Sequence, residues 1–433
     1  MKTLVWKTLS PAQRAAALAR PAQQARPRTA AIVTRIIAEV RRGGDKALRR
    51  LTAKLDGAKL GSLRVTESEF AAAEKSLSAR DRAALRAAYR NIRKFHLAQR
   101  PAPLRIETTP GIVCEKVSRP VERVGLYVPG GSAPLFSTAL MLGVPSQIAG
   151  NPVRLLCTPP GKNGEVSPWI LCAARLCGIT EVFKLGGAQA IAAMAYGTRS
   201  VPKCDKLFGP GNAFVTEAKL LVSRDPSGAT IDLPAGPSEV MVIADHAANP
   251  AFVAADLLSQ AEHGPDSQVV LVTFGKKFAA RVQAELAAQL VQLPRGATAT
   301  AALQNSRILL AASPAEAVEL ANHYAPEHLI LQTRNPRALL PRIRTAGSVF
   351  LGAWTPESLG DYASGTNHVL PTYGWARACS GLGLADFQRA MTVQTASPRG
   401  LKKLGPVVER LALAENLAAH QRAVRVRLDT LPR

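Results

Sequence analysis

The sequence lacks the features that mark membrane, secreted and disulfide-rich proteins. No apolar run in the 433 residues approaches the ~20 residues that a transmembrane helix needs. The six cysteines form no CxxC pair and no disulfide-framework spacing, which favours a reducing compartment. The early apolar stretch "LVW" is too short for the core of a secretory signal. We therefore expect a globular cytoplasmic protein with no membrane association.

Acidic residues are scarce in the N-terminal quarter. Residues 1–105 contain 24 Lys and Arg against 7 Asp and Glu, whereas the remaining 328 residues carry a net charge of only +7. Such a basic region either binds nucleic acid or is a solvated helical surface, and the absence of an aromatic-interleaved basic motif disfavours nucleic acid. The Ala- and Arg-rich start also resembles a transit peptide in composition, although cationic helical starts are common.

The nucleotide-binding fingerprints GxGxxG and GxxxxGK[ST] are missing, and "GPGNAF" comes nearest without the third glycine. After Pro101, however, short apolar strand patterns alternate with helical ones. The expected strands are "RVGLYVP", "VRLLCTP", "EVFKLGG", "EVMVIAD", "QVVLVTF", "RILLAA", "HLILQT" and "GSVFLG". This alternation predicts an α/β fold with two parallel sheets that carry helices on both faces. The regions before Pro101 and after about Cys379 are expected to be helical.

The stretch "DLLSQAEHGP" ends a predicted helix with polar residues. Asn249 is a suitable N-cap for this helix, and Gly264 with Pro265 is a suitable stop. Asp256, Gln260 and His263 would then share one helix face. That face is either solvated, with His263 near the last carbonyl groups, or part of a site.

Three further stretches combine histidine with acidic side chains. "APEHL" places Glu327 beside His328, which suits proton transfer. "GDYASGTNHVLP" contains Asp361 and His368, and "ENLAAH" contains Glu415 and His420. Each stretch alone has an ordinary structural explanation. Together they favour a divalent metal with nitrogen and oxygen ligands, although the spacing does not prove such a site.

Six motifs resemble the histidinol dehydrogenase family, in order and along nearly the whole chain. They are "GPGNAFVTEAK", "LPAGPSE", "DLLSQAEH", "APEHL", "GDYASGTNHVLPT" and "ENLAAH". The resemblance implies a cytoplasmic enzyme of histidine biosynthesis that oxidises L-histidinol to L-histidine, through L-histidinal, with two NAD⁺. It also implies one Zn²⁺ per protomer and a homodimer whose C-terminal tail reaches the partner's active site. The two Rossmann-like domains of the family lack the usual fingerprint.

The same resemblance assigns site residues. It implies Glu327 and His328 as the acid/base pair. The implied zinc ligands, which also surround the substrate, are Gln260, His263, Asp361 and His420. The substrate pocket is completed by Ser238, His328, His368 and Glu415, and the implied NAD contacts are Tyr127, Gln189 and Asn212.

We expect the following division of the chain. The first Rossmann-like domain is discontinuous and the second is inserted into it. The ranges are a helical arm at 1–26, the first domain at 27–126 and 239–378, the second domain at 127–238, and a helical, dimer-forming tail at 379–433.

Two other functions remain as alternatives. One is a zinc hydrolase in which Glu327 activates a metal-bound water, and the other is a basic nucleic-acid-binding protein. The sequence departs from the family pattern at Gly264, where Asp is common, and in its basic N-terminal quarter. Neither departure touches an implied ligand.

Overall fold

The computed structural model of the chain describes residues 1–21, 26–130, 134–234 and 236–432, without the side chains of residues 26 and 27. The end of the expected arm at 1–26 and parts of the loops "VPGGSAP" and "LPAGPSE" lie outside the described residues. The strands are β1 (Lys2–Val5), β2 (Leu104–Thr109), β3 (Ile112–Pro120), β4 (Arg123–Tyr127), β5 (Val153–Thr158), β6 (Glu181–Lys184), β7 (Lys206–Phe208), β8 (Thr230–Ile231), β9 (Glu239–Ala244), β10 (Gln268–Thr273), β11 (Arg307–Leu310), β12 (His328–Gln332), β13 (Ser348–Leu351) and β14 (Gln388–Ala396). The helices are α1 (Pro11–Leu18), α2 (Arg26–Leu55), α3 (Glu67–Ser76), α4 (Ala79–Leu97), α5 (Phe136–Ala149), α6 (Pro168–Leu176), α7 (Gly187–Tyr196), α8 (Ala213–Arg224), α9 (Pro250–Ala261), α10 (Lys276–Leu290), α11 (Gly296–Gln304), α12 (Pro314–Tyr324), α13 (Pro336–Leu339), α14 (Glu357–Tyr362), α15 (Pro398–Ala414) and α16 (Ala418–Leu428).

Two parallel sheets form the centre of the fold. The small sheet has the order β6-β5-β4-β7-β8, and the large sheet has the order β1-β11-β10-β9-β12-β13. Strands β4–β8 and strands β9–β13 therefore both follow the Rossmann order 3-2-1-4-5, with the reversal beside β4 and beside β9. Their central strands are buried on both faces because helices cover each side. The eight strands and the two parallel sheets predicted from the sequence are confirmed.

A third, antiparallel sheet was not predicted. It has the order β14-β3-β2, and β14 pairs with β3 along its whole length, from Gln388 opposite Pro120 to Ala396 opposite Ile112. The prediction that the chain is helical from Cys379 onward is therefore wrong for residues 388–396. Many side chains of β2 and β14 are exposed, so they lack the buried apolar run by which the other strands were recognised.

The N-terminal quarter also differs from its prediction. β1 pairs with β11 at the edge of the large sheet, so the first arm is not entirely helical. Helix α2 packs on α7 and α8, α3 packs on α6, and α4 packs on α5. Residues 27–97 thus pack with the small sheet, whereas the sequence grouped them with residues 239–378. The apolar faces of these helices fit the Ala-rich helices of the small sheet, which no local pattern reveals.

Over the part of the chain that the structure describes, no helix combines the length and the apolar character needed to span a bilayer.

Candidate active site

A cavity of about 340 Å³ lies between the two parallel sheets. One wall comes from loops that follow β4 and β7, at the carboxyl edge of the small sheet. The other wall comes from residues that precede or begin β9, β10 and β12, at the amino edge of the large sheet. The residues around it are Pro129, Leu135, Ser137, Thr138, Pro210–Ala213, Gly236–Ser238, Gln260, His263–Ser267, Glu327, His328, Asp361, Tyr362 and His368.

The wall on the small sheet sits at its topological switch point, where ligands of Rossmann-like sheets bind. After β7 the chain turns through Gly209, whose φ is 121°. A Cβ at this position would approach the carbonyl oxygen of Tyr127 to 2.1 Å, so the turn requires glycine. Asn212 then caps α8, because its Oδ1 accepts hydrogen bonds from the backbone N–H groups of Phe214 and Val215.

Tyr127 and Gln189 lie at the same edge of the small sheet but do not line the cavity. The Tyr127 hydroxyl accepts a hydrogen bond from the N–H of Gly187 at 3.0 Å. The Gln189 amide donates to Asp56 at 3.2 Å, and its buried Oε1 has no hydrogen-bond partner among the described residues. Burial raises the pKa of Asp56 to about 6. An unpaired buried carbonyl oxygen beside a carboxyl group suits a ligand rich in hydroxyl and amide groups.

Glu327 and His328 are buried at the start of β12, beside the first residue of β9. The Glu327 Oε2 accepts a hydrogen bond from the N–H of Glu239 at 2.9 Å. The His328 Nδ1 lies 3.1 Å from the carbonyl oxygen of Glu239. Because a carbonyl only accepts, we assign the proton to Nδ1. The Nε2 atom of His328 is then the basic nitrogen, and it lies 3.5 Å from the Oδ1 of Asp361.

Burial and mutual charge set the protonation of this pair. Burial raises the pKa of Glu327 to about 8, and the neighbouring His328 opposes that rise. Burial lowers the pKa of His328, but Glu327 and Asp361 more than offset this effect, so its net shift is upward. The pKa of Glu327 therefore lies within reach of neutral pH, where this carboxyl group can exchange protons.

Gln260, His263 and Asp361 meet at the cavity from two elements. Asn249 caps α9 through the N–H of Ala251, and Gln260 lies in the last turn of this helix. His263 follows in the turn after the helix end, and Asp361 lies on α14. Gln260 and Asp256 are buried, so the helix face at "DLLSQAEH" is not a solvated surface.

The Gln260 amide has one orientation that satisfies its neighbours. In that orientation its nitrogen donates to both carboxylate oxygens of Glu357, at 2.7 and 2.9 Å. The carbonyl oxygen is then the amide atom left for the cavity. Oxygen from Gln260, nitrogen from His263 and a carboxylate from Asp361 form a donor set that suits a divalent metal.

His368 and Ser238 also line the cavity. The His368 ring lies between two groups, with Nδ1 2.8 Å from the carbonyl oxygen of Asp361 and Nε2 3.1 Å from the hydroxyl of Thr138. Nδ1 therefore donates and Nε2 accepts. Burial lowers the pKa of His368, which favours this neutral form.

Comparison with known proteins identifies the family. A family model described as histidinol dehydrogenase matches residues 18–428. The chain belongs to the histidinol dehydrogenase family. It is 57% identical over 431 residues to a histidinol dehydrogenase from Vibrio vulnificus (strain YJ016), with 100% of this chain and 99% of that relative covered. A histidinol dehydrogenase structure from Elizabethkingia anophelis has a TM-score of 0.95 and 46% identity, covering 99% of this chain and 98% of that one.

Two of the site residues that the family resemblance implied lie outside the cavity of this chain. Glu415 follows the end of α15 and His420 lies on α16, and both are exposed. Neither residue lines the cavity. Within the described ranges, no three His, Cys, Asp or Glu side chains are grouped so that they could hold a metal ion. Three of the four implied zinc ligands, Gln260, His263 and Asp361, line the cavity of one chain, and His420 does not.

Four residues near the site were missed from the sequence. Asp56 lies beside Gln189, Thr138 beside His368, and Glu357 beside Gln260. Glu239 contacts Glu327 and His328 through its backbone, and its buried carboxylate pairs with Arg20 at 2.6 Å. These contacts join segments that are far apart in the chain, so no local motif reports them.

Proposed function

We propose that this protein oxidises L-histidinol to L-histidine through L-histidinal, with two NAD⁺, in the last steps of histidine biosynthesis. The observation that carries the proposal is a single cavity in which the Glu327–His328 pair faces the switch point of a Rossmann-like sheet. Membership of the histidinol dehydrogenase family supports the same reaction. The zinc-hydrolase and nucleic-acid hypotheses have no comparable support.

The first oxidation needs a base for the alcohol. As the hydroxyl proton of histidinol moves to Nε2 of His328, the hydrogen on the same carbon leaves as hydride to NAD⁺ and a C=O bond forms. The Nδ1 contact with Glu239 holds the imidazole in the tautomer that accepts this proton. The products of the step are the aldehyde and NADH.

The second oxidation needs water. Glu327 in its carboxylate form takes a proton from water as the water oxygen bonds to the aldehyde carbon, which gives the hydrated aldehyde. His328 releases the first proton to solvent before this step. The diol has a hydrogen on the same carbon, and a second NAD⁺ takes it as hydride while a hydroxyl proton moves to the regenerated Nε2 of His328. The product is the carboxylic acid, L-histidine. Glu327 can stay in place between the steps because the Glu239 N–H fixes one of its oxygens.

Gln260, His263 and Asp361 would hold the zinc ion, with His420 of the partner subunit as the fourth ligand. A bound zinc ion would act as a Lewis acid that helps to orient the substrate. The donor atoms around the cavity support this assignment. Ser238, His368 and Glu415 of the partner subunit would complete the pocket.

NAD⁺ would bind across the carboxyl edge of the small sheet. Asn212 borders the cavity, and Tyr127 and Gln189 lie farther along the same edge. The unpaired Oε1 of Gln189 would accept a hydrogen bond from the dinucleotide. Glycine at position 209 lets the backbone turn closely at the switch point, although the GxGxxG fingerprint is absent.

A homodimer would complete the site. Helices α15 and α16 pack on one another and leave large apolar side chains exposed, including Val407, Leu411, Leu413 and Leu417. β2 and β14 add Leu104, Ile106, Met391 and Val393 to the exposed apolar side chains. Exposed apolar side chains in this number favour burial against a second subunit. The cytoplasmic location stays a prediction from the cysteine pattern.

The stoichiometry of NADH tests the proposed reaction. Purified protein is mixed with limiting L-histidinol and excess NAD⁺, and NADH and histidine are both measured at completion. We expect two NADH per histidine, and no NADH when histidinol is omitted. One NADH per histidinol with release of the aldehyde, or no NADH at all, would contradict the proposal.

A further inference from the structure

Glu357 is a buried carboxyl group beneath the cavity, only 1% exposed, that no step of the proposed reaction uses. It is the first residue of α14, one helical turn before Asp361, so the two carboxyl groups lie on one face of this helix. Its Oε1 accepts a hydrogen bond from the hydroxyl of Ser259 at 2.7 Å. When the Gln260 amide is oriented with its nitrogen toward Glu357, both Glu357 oxygens also accept from it, at 2.7 and 2.9 Å.

A glutamine ligand has an ambiguity that histidine and aspartate lack. The oxygen and nitrogen of its amide have nearly the same shape, but only the oxygen can coordinate a cation. A neighbouring group must therefore decide which atom faces the site. In its ionised form Glu357 accepts hydrogen bonds and cannot donate them, so it selects the amide nitrogen.

We propose that Glu357 is a positioning residue, which holds the Gln260 amide nitrogen and thereby presents the Gln260 carbonyl oxygen to the metal. This inference rests on the proposed zinc site. The contact between Glu357 and Gln260 also links α14 to α9. It therefore keeps Asp361, on α14, close to Gln260, on α9. Ser259 fixes the Glu357 carboxylate from the same helix that carries Gln260.

Asp256 provides a matched control. It is a second buried carboxyl group on α9, one turn before Gln260, and it pairs with the Gln332 amide at 2.6 Å. Asp256 does not bind Gln260. If Glu357 acted only by adding negative charge near the metal, removing the charge of Asp256 would have a similar effect.

The test measures zinc affinity by competition with a chromogenic chelator, using the full-length protein and zinc alone. Loss of an outer-sphere partner typically weakens metal binding by about 10- to 100-fold. We expect that loss for Glu357→Ala, and a smaller one for Glu357→Gln, which keeps the volume and one acceptor oxygen. Asp256→Asn should change the affinity by less than about threefold. Equal losses for Glu357→Ala and Asp256→Asn would overturn the positioning role.

A double-mutant cycle shows whether Glu357 acts through Gln260. In the Gln260→Ala background, Glu357→Ala should weaken zinc binding by no more than about twofold, because the amide it orients is gone. Full additivity would overturn the inference. The thermal unfolding midpoint of each metal-free variant shows whether that variant is folded. If Glu357→Ala does not fold, the zinc affinity of Glu357→Gln decides the test. Wild-type protein that binds no zinc would refute the metal site itself, whereas unchanged affinity in Glu357→Ala would refute only the role of Glu357.

Discussion

Glu327→Gln removes a buried base while keeping the side chain in place. The glutamine carbonyl oxygen can still accept the Glu239 N–H, which lies 2.9 Å from the Glu327 Oε2. Loss of a general base typically slows the step it serves by about 10²- to 10⁴-fold. We therefore expect this loss in the conversion of histidinal to histidine, and a much smaller effect on the oxidation of histidinol to the aldehyde.

The size of the rate loss caused by Glu327→Gln depends on pH because burial raises the pKa of Glu327 to about 8. The base form exists above that pKa, so about one-tenth of the wild-type protein carries it at pH 7 and about nine-tenths at pH 9. The aldehyde half-reaction of the wild type should rise by about tenfold between these values. The ratio of wild-type to Glu327→Gln rates should rise by the same factor.

Single-turnover NADH formation, started from histidinol or from histidinal, separates the two half-reactions. His328→Asn is the comparison, since it removes the acceptor of the alcohol proton and should slow the step from histidinol as well. Equal slowing of both half-reactions by Glu327→Gln would refute the division of labour. The pair would then act as one unit, with Glu327 orienting His328.

Three further predictions concern the metal, the dimer and the buried network below the site. Treatment with a chelator should abolish turnover and added Zn²⁺ should restore it, and full activity in metal-free protein would contradict the zinc requirement. Mixing inactive His263→Ala and His420→Ala protomers should recover activity after verified subunit exchange, because one intact site forms in each heterodimer, whereas no recovery would place the site within one chain. Arg20→Ala leaves the buried Glu239 carboxylate without its charged partner and should lower the free energy of unfolding by about 3–5 kcal/mol in urea titrations. A loss below about 1 kcal/mol would mean that water or Tyr324, which also donates to Glu239, replaces the pair.

Part of the site was predictable because its residues lie in long local motifs. "APEHL" places an acid beside a base at a strand start, and "DLLSQAEH" places Gln260 and His263 at a capped helix end. The structure brings Ser238, Gln260, His263, Glu327, His328, Asp361 and His368 to one cavity, with Asn212 at its border. Glu357 was not predictable, because its contact with Gln260 crosses from α14 to α9 and its own surroundings in the sequence contain no recognisable motif.

Local sequence by itself determined the two parallel sheets. Their strands are short apolar runs between helical patterns, and such runs must be buried on both faces. The antiparallel strands β2, β3 and β14 were missed because they contain no long buried apolar run, so that only their pairing with one another identifies them. Only the tertiary structure decided that the amino edge of one sheet faces the carboxyl edge of the other, and that α2–α4 cover the small sheet. Such arrangements depend on the fit between surfaces that are distant in the chain, whereas helix and strand patterns depend on neighbours within a few residues.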